Sequence, residues 1–105
     1  MNILFVCSKN RWRSRTAETI FKGHHHHEFK SAGTENDARI KINEKLIKWA
    51  DLIFVMEKRH KQRLQDKFDH LLDDKKIVIL DIEDDYRYMD EELIQVLRIT
   101  VTPYL

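Results

Sequence analysis

Short runs of unbroken apolar, β-favouring residues alternate with stretches of helical periodicity, and that alternation constrains the fold more than anything else in the chain. The runs are Asn2 to Val6, Leu52 to Met56 and Lys76 to Leu80. A strand that is apolar at nearly every position has no face to offer water, which is the condition of a parallel sheet covered by helices on both sides. The intervening segments suit the covering role. Ser14 to Lys22 places Ala17, Ile20 and Phe21 on one face and ends at Gly23, where a helix C-terminus favours a left-handed residue. Asn43 to Ala50 turns Leu46, Ile47 and Ala50 inward. Lys58 to Lys67 is highly charged, with Leu64 and then Phe68 on its buried side. Asp90 to Thr102 carries Leu93, Ile94, Leu97 and Val101 at helical spacing, with Pro103 beyond its end. His27 to Ser31 is a weaker strand candidate, closed by the turn-like Ala32-Gly33-Thr34. The expected architecture is α/β: a three-layer αβα sandwich around a four-stranded parallel sheet in the flavodoxin-like order 2-1-3-4. At 105 residues the chain is expected to form one domain, 1–105.

Composition narrows the function classes. No apolar run approaches the length of a membrane span. Nineteen basic and eighteen acidic residues nearly cancel, so bulk charge does not favour nucleic acid, and no membrane partner is expected. The N-terminus enters the first strand without a basic leader, and a single cysteine cannot form an internal disulfide; both fit a reducing cytoplasm.

In an open parallel sheet, ligands gather at the carboxyl ends of the strands. The first strand runs into Cys7-Ser8-Lys9-Asn10-Arg11-Trp12-Arg13-Ser14 before the first helix. A thiol beside a helix N-terminus meets unpaired N–H groups and the positive end of the helix dipole, which favour the thiolate. A loop of this length can curl its N–H groups into an anion nest. Arg13 can close that nest with two parallel hydrogen bonds to phosphate oxygens, which Lys cannot do. Ser14 can donate to the thiolate or cap the helix. Ser8, Lys9, Asn10, Arg11 and Trp12 complete the candidate binding loop, and no acidic residue precedes Glu18. The bland alternative makes Cys7 a small buried apolar residue and Ser14 an ordinary cap.

With these residues the sequence resembles the low-molecular-weight protein tyrosine phosphatases, as a compact bacterial-type variant. Cys7, Arg13 and Ser14 meet the family's Cys-x5-Arg-Ser signature, one strand from the N-terminus. Ser31 to Thr34 is similar to its second-strand signature, and Ala50 to Glu57 to its next strand and exit. The resemblance implies a nucleophilic Cys7, a phosphate-binding Arg13, and a role for Asn10 in bracing the loop. It implies a phosphorylated protein or small aryl phosphate as substrate, inorganic phosphate or another oxyanion in the loop, and no cofactor or metal. Two departures stand out. Lys9 occupies a position often held by glycine, and Trp12 one often held by a second cysteine, which removes a protective disulfide.

The family's general acid is an aspartate on a late loop, usually before proline. The matching region is Leu80 to Tyr86, which contains no Asp-Pro. Keeping the following aromatic in register selects Asp84, with Asp85 at the proline position; Asp81 and then Asp85 are the alternatives. Repulsion from Asp85 would help Asp84 hold a proton. Tyr86 and Tyr88, with Trp12, are candidate walls for a phosphotyrosine ring, although packing on the fold is an equal expectation. The run His24 to His27 reads as a solvated loop or an engineered insert rather than a metal site, and His60 and His70 as solvent-facing. Two rival functions remain on the same fold: a catalytically weak module binding phosphate, a phosphopeptide or RNA, and an arsenate reductase, which would need thiols this chain lacks.

Overall fold

The computed structural model describes residues 1–24 and 26–105, so His25 of the histidine run lies outside the described residues. Four strands, β1 (Asn2–Cys7), β2 (Glu28–Gly33), β3 (Leu52–Val55) and β4 (Lys76–Ile79), form one sheet in the order β2-β1-β3-β4. Every pairing is parallel, with Phe5 beside Ser31 on one side and Phe54 on the other. The helices are α1 (Arg13–Phe21), α2 (Glu44–Trp49), α3 (Lys58–Phe68) and α4 (Glu91–Val101). The flavodoxin-like strand order is as expected, and the helix boundaries fall within one or two residues of the sequence reading. Among the described residues no helix is long and apolar enough to cross a membrane.

The unbroken apolar runs split into two cores by the twofold alternation of a strand. Ile3, Phe5 and Cys7 of β1, with Leu52 and Phe54 of β3, face Ala17 and Phe21 of α1 and Leu93, Leu97 and Val101 of α4. Leu4, Val6, Ile53 and Val55 face the opposite way, against Ile47 of α2 and Leu64 of α3. Phe5 is the centre of the first core, its ring stacked at 6.0 Å on Phe21, 6.0 Å on Phe29 and 5.5 Å on Phe54.

Helix starts follow local chemistry. Asn43 caps α2 by accepting from Leu46 N at 2.9 Å, and Asp90 caps α4 by accepting from Glu92 N at 2.9 Å. Gly23 takes a φ of +80° just after α1, as its position predicts. The third apolar run, which forms β4, departs from expectation. β4 is only half buried along its middle and Ile79 is 37% exposed. As an edge strand it has one neighbour, and the helical layers reach it incompletely.

All four strands point their carboxyl ends the same way, bringing Cys7, Gly33, Met56 and Leu80 to one edge of the sheet. Phe5→Ala should cost ~3–5 kcal/mol, a large share of the ~5–15 kcal/mol typical of a domain. Ile99→Ala, at a position 74% exposed, should stay within about 0.5 kcal/mol. Urea unfolding of the two variants checks the difference.

Candidate active site

The loop from Cys7 to Arg13 is shaped by where its carbonyl groups go. Those of Cys7, Ser8 and Lys9 accept from the backbone N–H groups of Thr34, Glu35 and Arg39 at 3.0, 2.9 and 2.9 Å. That of Asn10 accepts from Arg39 Nε at 3.0 Å. Among the described residues no peptide bond is cis, and a trans peptide sets its N–H opposite its C=O. Four carbonyls drawn outward onto residues 34–39 therefore turn the N–H groups of Ser8, Lys9, Asn10 and Arg11 inward. Asn10 adopts a φ of +55° to make the turn, a region asparagine tolerates. Its N–H reaches Cys7 Sγ at 3.2 Å.

Beneath the sulfur sits Ser14, the second residue of α1. Its Oγ lies 2.9 Å from Cys7 Sγ and accepts from Asn10 Nδ2 at 2.7 Å. Because that bond comes from a pure donor, the Ser14 hydroxyl keeps its own proton to give to sulfur or to Ala32 O, 3.3 Å away. Of the two roles open to Ser14 in the sequence, the contact with sulfur is the one its geometry supports. The α1 N-terminus has no side-chain cap, so its first N–H groups stay available to a ligand.

The residues that receive the loop carbonyls depend on Gly33. A Cβ there would meet Ser8 O at 2.5 Å and the Lys9 carbonyl carbon at 2.9 Å. Beyond Gly33 the chain loops out and returns, with Gly33 N donating to Ile40 O and Ile42 N donating to Gly33 O. The closed excursion sets residues 34–39 as a collar around the loop.

Arg13 is 2% exposed. Its Nη1 donates to Glu57 Oε1 at 2.5 Å and to Ile82 O at 2.8 Å, while its Nε lies 3.6 Å from Asp84 Oδ1. Glu57 lies two residues beyond β3, at the start of α3, and also accepts from Arg59 Nη2 at 3.0 Å. Burial would raise the Glu57 carboxyl, but its hydrogen bonds to Arg59 and Arg13 hold it at about 2.

His60, expected to face solvent, is 1% exposed. It lies one turn into α3, on the side that packs against the loop. Its Nδ1 accepts from Glu57 N at 3.0 Å, so the ring proton sits on Nε2 and is donated to Ser8 Oγ at 2.9 Å. Burial, aided by Arg13 and Arg59, lowers its pKa to about 4, and the ring is neutral.

A cavity of about 320 Å³ opens over the sulfur, lined by Cys7, Ser8, Lys9, Arg11, Trp12, Arg13, Glu35, Arg59 and Asp84. Six of the nominated loop residues and Asp84 are thus brought together, with Asn10 and Ser14 behind the sulfur. Asp81 and Asp85 are exposed and lie outside the lining. Tyr86 is not in the cavity lining; it is partly buried against the first core. Tyr88 instead stacks under Arg15, 4.3 Å from its ring centroid, and meets Thr19 Oγ1 at 2.9 Å. Of the proposed aromatic walls only Trp12, 42% exposed, is at the mouth. Sequence reasoning missed Glu35, Glu57, Arg59 and His60. The usable signal was position: Glu57 to His60 follow β3 and so must lie at the sheet edge that holds Cys7. Among the described residues no group of three or more His, Cys, Asp or Glu is placed to hold a metal.

No family model and no curated protein matches the chain. Solved structures do. A low molecular weight protein tyrosine phosphatase from T. tengcongensis is 25% identical, with a TM-score of 0.72 over 95% of this chain and 92% of that one. The tyrosine phosphatase Wzb from Escherichia coli K30, in complex with phosphate, is 21% identical, with a TM-score of 0.76 over 98% and 94%. The YwlE arginine phosphatase from Geobacillus stearothermophilus is 23% identical, with a TM-score of 0.64 over 94% and 82%.

Two outcomes follow for stability. The unfolded chain binds a proton at His60 near pH 6.5, whereas the native site resists it down to about 4. Stability should therefore be complete above pH 6.5 and fall by about 3 kcal/mol as pH drops to 4. Glu57 adds a further loss below pH 4.5, where the unfolded carboxylate protonates and the native one, held at about 2, does not. Urea midpoints against pH measure this, and His60→Gln should flatten the slope between pH 6.5 and 4. Gly33→Ala should cost ~1–3 kcal/mol by overpacking backbone that has nowhere to move.

Proposed function

Starting from a chain that has the fold of the low-molecular-weight protein tyrosine phosphatases, we propose that it hydrolyses phosphate monoesters through a phosphocysteine on Cys7. The observation that carries the reading is the inward-turned set of N–H groups over the Cys7 sulfur, with the Arg13 guanidinium at the same cavity. That arrangement suits a trigonal, triply oxygenated phosphoryl group and has little use in a purely structural turn.

In the first step the Cys7 thiolate attacks phosphorus in line. The S–P bond forms as the P–O bond to the leaving group breaks, and Asp84 gives its proton to the departing oxygen. Arg13, held from behind by Glu57 and Ile82 O, offers its remaining N–H groups to the equatorial oxygens. Ser14 holds the sulfur as an acceptor before attack and supports the thiolate as it leaves. In the second step Asp84 takes a proton from water, which attacks phosphorus and returns Cys7 as thiolate, with inorganic phosphate released. The loop and Arg13 supply the positive charge, so the scheme calls for no metal or cofactor.

Phosphotyrosine in a protein is the substrate that fits best. Neighbours with this fold bear the names of tyrosine and of arginine phosphatases. Trp12, half exposed at the cavity mouth, offers an aromatic face to a phenyl ring, with stacking worth ~1 kcal/mol. Asp84 is favoured over Asp81 and Asp85 as the acid because it lines the cavity and approaches Arg13.

Kinetics on p-nitrophenyl phosphate and on a phosphotyrosine peptide test the scheme. Cys7→Ser and Arg13→Ala should show no turnover. Asp84→Asn should lower kcat on the peptide by ~10²-fold or more, while Asp81→Asn and Asp85→Asn stay within a few-fold of wild type. An active Cys7→Ser protein would overturn the covalent route. A wild type that binds phosphate but turns nothing over would make the chain an anion-binding module.

A further inference from the structure

Charge around the cavity mouth is distributed unevenly. Each acidic side chain there already has a cation. Asp37 lies 3.4 Å from Lys9, Glu35 lies 3.5 Å from Arg63, and Asp84 lies 3.6 Å from Arg13. Glu57 is shared between Arg13 and Arg59. Arg11 is different. It is exposed and lines the cavity, and among the described residues no carboxylate lies within ion-pair distance of it. Arg59 and Arg63, both more than half exposed, stand four residues apart and so share one face of α3. Arg59 lines the cavity, and Arg63 holds Glu35, which also lines it.

We propose that this rim selects for charge around the phosphoryl group: the substrate is a phosphotyrosine flanked by acidic residues, whose carboxylates meet Arg11, Arg59 and Arg63. The inference rests on the phosphatase reading and sharpens its substrate class. A flexible acidic segment would not need deep burial, because the three guanidinium groups lie at the surface and can turn toward it. A cationic leaving group, such as the guanidinium of phosphoarginine, would be repelled by Arg11. The near-neutral charge of the whole chain makes this a local preference rather than a general affinity for polyanions.

The test compares kcat/KM for three synthetic phosphotyrosine peptides with acidic, neutral or basic flanks. At low salt the acidic peptide should exceed the basic one by about tenfold, the sum of several exposed pairs of modest strength. At 1 M NaCl, where screening acts over ~3 Å, the preference should collapse toward unity. Arg63→Glu should abolish it while p-nitrophenyl phosphate turnover stays unchanged, and Arg11→Glu should reverse it. Titrating the same peptides into Cys7→Ser protein repeats the comparison as binding, so the rim and the chemistry can fail separately. Loss of turnover with the acidic order of affinities intact would sink the phosphatase reading and support the rim. Equal kcat/KM and equal affinity for the three peptides would overturn the rim with the hydrolase untouched. So would phosphoarginine turnover matching that of phosphotyrosine, or a single-stranded oligonucleotide displacing the acidic peptide at lower concentration than the peptide itself.

Discussion

Four successive carbonyl groups in the loop after β1 are tied outward to residues 34–39, and the site follows from that tether. A trans peptide cannot turn its C=O away from a point without aiming its N–H toward it. The collar therefore does the work of pointing, and the loop supplies only the dipoles. Glycine at position 33 is needed because loop and collar approach too closely for a Cβ. The parallel sheet is needed because it delivers both segments to the same edge.

A second constraint concerns charge. A guanidinium buried as deeply as that of Arg13 is tolerable only when its N–H groups are matched, and Glu57 with Ile82 O matches one end of it. The pairing fixes the orientation of the other end toward Asp84 and the cavity. Arg59 completes the arrangement from the far side of Glu57. His60 then bridges the two subsystems, accepting from the Glu57 backbone and donating to Ser8 in the loop. Acid sensitivity is built into this layout, because its buried ring must be neutral to accept the Glu57 N–H.

Legibility in the sequence divided along the range of the interactions involved. Helices and strands could be read because periodicity is local: Ile3 and Phe5 alternate with Leu4 and Val6 whatever lies across the sheet. The loop could be read because Cys7, Arg13 and Ser14 are within eight residues of one another. His60 could not. On a helix dense with Lys and Arg its neighbours predict water, and only the packing of α3 against a loop 52 residues earlier buries it. Tyr86 failed for the same reason in reverse. It stands two residues after Asp84, which does line the cavity, yet its ring is partly buried against the first core.

The sequence by itself determined the layer order, the burial of the first and third strands, and the placing of a thiol, a guanidinium and a hydroxyl around one turn. Those outcomes depend on side-chain spacing along a single strand or helix, which folding does not alter. Tertiary structure alone decided which arginines are committed to partners, and that a histidine from α3 supports the loop. Each of these is a contact between segments far apart in the chain. Its existence depends on distances across the sheet edge, which no local pattern encodes.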